Sequence, residues 1–168
     1  SNKANIYACV RNNNTEFKNL VENLKKKYNN EITPVSLDLS NEENIKEASQ
    51  IILSSKKPID VLINNAAAIH TALFQMTTLE KLRELFEINF FSQTLFTQYI
   101  LKSMIKNKNG SIIYISSTSG IDGNEGRSAY SATKAAIISQ AKVLSKELGV
   151  HKIRVNTIAP GLTNTDMM

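Results

Sequence analysis

The stretch Gly110-Ser-Ile-Ile-Tyr-Ile-Ser-Ser117, followed by Tyr130-Ser-Ala-Thr-Lys134, decides how this chain is read. Residues 111–116 are rich in β-branched and aromatic side chains and are opened by a glycine, the pattern of a buried strand. Ser117 then falls at the C-terminal edge of that strand, where open α/β sheets bind their ligands. From Tyr130 onward, Lys134, Ile137, Ile138, Ala141, Leu144 and Leu148 repeat with helical period, and Gly149 closes the run. The i,i+4 spacing places the phenol of Tyr130 and the ammonium of Lys134 side by side on one helix face.

Outward from this pair the chain alternates strand and helix. Residues 5–10 read as a strand, 15–28 as a helix, 32–39 as a strand, and 42–53 as a helix begun by the capping box Ser40-Asn-Glu-Glu43. A strand at 59–63 follows Pro58. A second capping box, Thr77-Thr-Leu-Glu80, opens a long helix that carries Leu82, Leu85, Phe86, Phe90 and Leu95 to about residue 106. A last strand covers 153–158. Such alternation predicts an α/β fold, with a parallel sheet covered by helices on both faces. Neither repeat nor linker interrupts it, and residues 1–168 are expected to form a single domain.

Ser117, Tyr130 and Lys134 can converge on one carbonyl group. A free phenol has a pKa of about 10, and a neighbouring ammonium favours its ionised form, which brings a tyrosine within range of acid–base work near neutrality. A serine hydroxyl at the strand end adds a donor to the substrate oxygen, in the manner of an oxyanion site.

Composition excludes more exotic classes. The chain is 42% hydrophobic over 168 residues, enough for a core, and no run approaches the roughly 18–20 apolar residues that span a bilayer. No signal-peptide h-region opens it, so the cytoplasm or a soluble organelle matrix is expected. The net charge of +5 invites a nucleic-acid reading, but its densest run, Lys25-Lys26-Lys27, ends a helical pattern where cations complement the helix dipole, and no aromatic interleaving accompanies it. Neither nucleic acid nor membrane is expected as a partner. A mildly basic surface still suits an acidic carrier protein or a phosphorylated cofactor. Cys9 is the sole cysteine, and His70 and His151 have no companions at metal-ligand spacing, so no metal is expected. The pairs Asn13-Asn14 and Asn29-Asn30 read as loop composition.

Taken together, Asn64-Asn65-Ala66-Ala67, Ser117, Tyr130-Ser-Ala-Thr-Lys134, Val155-Asn156, Pro160-Gly161 and Thr165-Asp166-Met167 resemble the short-chain dehydrogenase/reductase family over essentially the whole chain, in particular its 3-oxoacyl-acyl-carrier-protein reductases. A lone Tyr-x-x-x-Lys is a weak signal, whereas four motifs in order on the appropriate elements are specific. The resemblance implies a Rossmann-type doubly wound sheet lacking the first βα unit and the C-terminal strand, since no glycine precedes Gly110 and a dinucleotide fold opens with a glycine-rich turn. The chain is thus expected to be an internal fragment, with the missing first strand central, between the second and the fourth.

What the resemblance implies for the site can be carried over residue by residue. Tyr130 is the proton donor, Lys134 tunes it and binds the nicotinamide ribose, Ser117 orients the substrate, and Asn89 holds a relay water between the lysine and solvent. Arg11, just after Val10 at the first strand's end, stands where NAD-binding relatives place an acid, so NADP(H) is favoured over NAD(H). Asp38 matches the aspartate that contacts adenine. Asn64, Asn65 and Ala66 support the cofactor, in a loop where Ala67 replaces the family's usual glycine. Pro160, Gly161 and Thr165 border the nicotinamide, and Asp166 stabilises their loop. The implied reaction reduces a 3-oxoacyl thioester on acyl carrier protein in fatty acid synthesis. A different ketone, sugar or polyol is the alternative substrate, and a silent nucleotide-binding relative the alternative role. Family members pair the long helix and the tyrosine helix across an interface, so a homodimer or homotetramer is expected.

Overall fold

The computed structural model describes residues 4–163. The chain divides into two compact units, Ser1–Lys57 and Pro58–Met168. All described strand pairs are parallel, but the strands form two sheets, one in each unit.

The first unit runs β1 (Ile6–Val10), α1 (Thr15–Tyr28), β2 (Ile32–Ser36) and α2 (Glu42–Ser54). β1 and β2 pair with Ile6 opposite Ile32 and Val10 opposite Ser36. β2 pairs on one side only, which is why it tolerates Pro34, a residue without an N–H for the ladder. The asparagine pairs expected to be loop filler include both caps of α1. Asn14 accepts the Phe17 N–H, and Asn29, in the left-handed region at φ 49°, donates its own N–H to the Lys25 carbonyl. The α2 cap corrects the expected capping box. Asn41 rather than Ser40 accepts the Asn44 N–H, because both the N–H and the hydroxyl of Ser40 are drawn to Asp38 Oδ1. Val21, Ile32, Val35, Ile45, Ala48 and Ile52 are the apolar residues buried in this unit.

The second unit contains β3 (Val61–Asn64), a 3-10 turn (Phe74–Met76), α3 (Leu79–Phe86), a π turn (Glu87–Phe91), α4 (Ser92–Asn107), β4 (Gly110–Ile115), α5 (Ser119–Asp122), α6 (Ser128–Glu147) and β5 (Ile153–Ile158). The sheet order is β3-β4-β5, with Leu62, Ile112 and Val155 in register. Alternate side chains of a strand face opposite sides. On one side Leu62, Ile112, Tyr114, Ile153 and Val155 are buried, as are Ile100 and Met104 of α4 and Ile137 and Ala141 of α6. On the other side Val61, Ile63 and Ile158 are about half exposed. The long helix expected from residue 77 starts one residue later than its capping box implies, with Thr78 as the cap accepting the Lys81 N–H. At its centre the π turn is closed by Ser92 N–H to the Glu87 carbonyl.

The short α5 packs on α6 through Gly120. A Cβ there would stand 2.7 Å from the Lys134 carbonyl carbon and 2.9 Å from the Ala135 nitrogen, too close for backbone that cannot move aside. Gly120→Ala should therefore lower the unfolding free energy by roughly 1–3 kcal/mol. Urea denaturation measures it, and an unchanged midpoint and slope would contradict this packing.

Candidate active site

Because β3, β4 and β5 are parallel, their C-terminal ends share one edge, which brings together Asn65-Ala66-Ala67 after β3, Ser116-Ser117 after β4 and Ala159-Pro160-Gly161 after β5. Two backbone bonds tie the last two loops, Ser116 N–H to the Ile158 carbonyl at 2.7 Å and Thr118 N–H to the Pro160 carbonyl at 3.0 Å.

α6 delivers Tyr130 and Lys134 to that edge. Both are buried, and Lys134 Nζ lies 5.6 Å from the centre of the Tyr130 ring. Nζ donates a 2.8 Å hydrogen bond to the Ile115 carbonyl, the last of β4. Ser116 Oγ in return donates to the Lys134 carbonyl at 2.9 Å, so helix and strand are joined through side chain and main chain at one residue. Ser117 follows, its Oγ accepting the Ser119 N–H at 3.2 Å and its own O–H left to donate. The loop from there to α6 turns through Gly123 at φ 74° and Gly126 at φ 70°, conformations that glycine adopts without strain.

Asn89 is fully buried, and its amide is committed. Oδ1 accepts the Ala68 N–H at 2.7 Å, while Nδ2 donates to the Ala68 carbonyl at 2.9 Å and to Thr133 Oγ1 at 3.1 Å. Its side chain thus grips main chain beyond β3 and the residue next to Lys134. Asn64 also turns inward, donating from Nδ2 to Thr97 Oγ1 at 2.9 Å, while Asn65 and Ala66 are exposed. Thr97 and Thr133 were not singled out from sequence. The signal available for Thr97 was its position eight residues, two helical turns, after Asn89.

In the first unit, Arg11 follows β1 and Asp38 lies just beyond β2. The Ser40 hydroxyl and N–H, with a smaller contribution from the Arg11 charge, hold the Asp38 carboxyl below its usual range. Pro160 is half-buried and Gly161 exposed. Thr165, Asp166 and Met167 lie outside the described residues. Among the described residues no three His, Cys, Asp or Glu side chains gather as a metal site, and no helix is long and apolar enough to cross a membrane.

The sequence model of the short chain dehydrogenases matches residues 1–168. The chain belongs to the short-chain dehydrogenase family. It is 38% identical over 150 residues to the 3-oxoacyl-acyl-carrier-protein reductase FabG of Aquifex aeolicus, covering 89% of this chain and 60% of the relative. The enzyme of the same name from Thermotoga maritima is 37% identical over 136 residues, covering 81% and 55%. The crystal structure of a short-chain dehydrogenase from Streptomyces avermitilis superposes with a TM-score of 0.85 at 31% identity, over 97% of this chain and 58% of that one. The chain therefore spans somewhat more than half the length of these short-chain dehydrogenases.

Burial pushes the Lys134 ammonium down from 10.5 to about 8. Below pH 8 the lysine is charged in both folded and unfolded states, and the full desolvation cost is present. Between pH 8 and 10.5 the unfolded state binds the extra proton, so stability attributable to this group rises with pH, by about 3 kcal/mol over the whole interval. Chemical denaturation at pH 7 and pH 10 should show Lys134→Met gaining stability relative to wild type at pH 7 and losing that advantage at pH 10. An advantage independent of pH would mean that the ammonium is solvated.

Proposed function

We propose that the protein carrying this chain is an NADP(H)-dependent carbonyl reductase that converts a 3-oxoacyl thioester on acyl carrier protein to the 3-hydroxyacyl form, as in fatty acid synthesis. The observation that carries this reading is the buried Lys134 ammonium beside Tyr130 at the end of β4. A cation there stabilises the oxyanion left behind when the phenol gives up its proton.

The donor set fits a nicotinamide dinucleotide. Lys134 keeps two N–H donors beyond its bond to Ile115, suited to ribose hydroxyls, and the exposed residues Asn65 and Ala66 lie on the same sheet edge. Pro160 and Gly161 border that edge, and Thr165 follows them in the sequence. In the first unit Arg11 suits a ribose 2′-phosphate, and Asp38, with one oxygen held by Ser40, suits the adenine. The cofactor supplies a hydride to the carbonyl carbon. Tyr130 gives its phenolic proton to the carbonyl oxygen, and Ser117 Oγ donates a hydrogen bond to that same oxygen as negative charge gathers on it. Asn89 fixes Thr133, whose hydroxyl in turn donates to the Tyr130 carbonyl at 2.7 Å, and so holds the turn of α6 that carries Tyr130 and Lys134.

The likeness to acyl-carrier-protein reductases supports the thioester substrate, and the net charge of +5 suits an acidic carrier. Phe91 of the π turn and Val143 of α6, each about half exposed, support pairing of these helices in a homodimer or homotetramer. The cytoplasm or an organelle matrix would be its compartment.

The test follows loss of NADPH absorbance with a 3-oxoacyl-carrier-protein substrate. Tyr130→Phe should lower kcat by about 10²–10⁴-fold while NADPH still binds. A variant as active as wild type would remove Tyr130 from the chemistry.

A further inference from the structure

The helix α4 and the chain leaving β3 are joined by a polar ladder. Three helix residues four apart, Asn89, Gln93 and Thr97, meet three chain residues two apart, Ala68, Ala66 and Asn64. Thr97 takes the Asn64 amide at 2.9 Å, Gln93 Nε2 donates to the Ala66 carbonyl at 2.6 Å, and Asn89 takes both main-chain groups of Ala68. The two repeats match physically. Four helical residues rise about 6 Å and two extended residues about 6.6 Å, so successive rungs stay aligned as the segments run in opposite directions. Successive steps of four also rotate around an α-helix, and the wider turn at Glu87–Phe91, which contains Asn89, changes that drift at the last rung.

Gln93 is the costly rung. It is 2% exposed, and its Oε1 is buried with no partner among the described residues. Reversing the amide does not help, because it would set Oε1 against the Ala66 carbonyl. An orphaned buried acceptor costs about 1–3 kcal/mol, and a leucine of similar size would avoid that cost. Stability alone therefore does not account for an amide at this position, whereas the grip on Ala66 does.

We propose that Gln93 is a positioning residue for the cofactor, holding Ala66 and Ala67 as a fixed ledge between the rungs at Asn64 and Ala68. The ledge leaves Asn65 and Ala66 exposed on the sheet edge that carries Lys134 and Ser117. The ligand in this inference rests on the reductase reading, whereas the ledge itself does not.

The experiment compares wild type, Gln93→Leu and Gln93→Glu in the full-length protein, by amide hydrogen exchange of residues 66–68 without ligand and by NADPH titration. Gln93→Leu should melt at the same temperature or higher, exchange the Ala68 amide about tenfold faster and bind NADPH about tenfold more weakly, the value of one lost hydrogen bond. Gln93→Glu should approach wild-type affinity at pH 5.5, where a protonated carboxyl still donates to Ala66, and lose it at pH 8. Should Gln93→Leu not fold, this pH-dependent rescue carries the test alone. Unchanged exchange and affinity in both variants, or a melting temperature that falls while both stay constant, would overturn the proposal. Faster Ala68 exchange in a protein whose wild type binds no NADPH would uphold the ledge and count against the reductase reading instead.

Discussion

The 2.8 Å bond from Lys134 Nζ to the Ile115 carbonyl takes an ammonium out of water at the end of β4, and the arrangement of the second unit follows from it. Burying a cation is unfavourable unless its hydrogen bonds are made, so α6 is held at the one height where the carbonyl can receive it. Ser116 returns a bond to the same residue's main chain, and Gly120 lets a second backbone approach it at a distance no larger residue allows. Tyr130, one turn earlier on α6, inherits its place from that anchor.

Around the anchor the unit mixes two kinds of order. The apolar side of the β3-β4-β5 sheet is packed by aliphatic residues whose burial is worth about 1.5–3 kcal/mol each but fixes no single register. Register comes from the polar groups placed within that layer: Asn64 and the Tyr114 hydroxyl on Thr97, Asn89 on Ala68 and Thr133, and Gln140 Nε2 on Thr94. Each is satisfied only in one alignment of the segments it joins, and a slip would leave these donors without acceptors.

Much of this was legible in the sequence because the strongest signals are local. Residues 153–158 read as a strand, and β5 covers the same span. The parallel strands and the helix bearing Tyr130 and Lys134 follow from periodicity, while the family rests on the resemblance of the motifs and is shown by the match over residues 1–168. The capping residue lies one position later than the capping boxes imply where two capping residues stand together. Ser40 precedes Asn41 and Thr77 precedes Thr78, and only three-dimensional competition, such as the pull of Asp38 on Ser40, selects between them. The π turn leaves no mark in a 3.6-residue pattern. Gln93 and Thr97 stayed hidden because a polar residue on a buried helix face means little until the chain opposite it is known. The committed amide of Asn89 was equally invisible, since its partner Ala68 contributes only main-chain atoms.

Desolvation of Lys134 is tested most directly by titrating its side-chain NMR resonance in lysine-labelled protein, assigned by comparison with Lys134→Met. The midpoint should lie near 8, displaced from the ordinary value by burial against β4. A midpoint at the ordinary lysine value of about 10.4 would contradict it, because the ammonium would then be in water rather than against the Ile115 carbonyl.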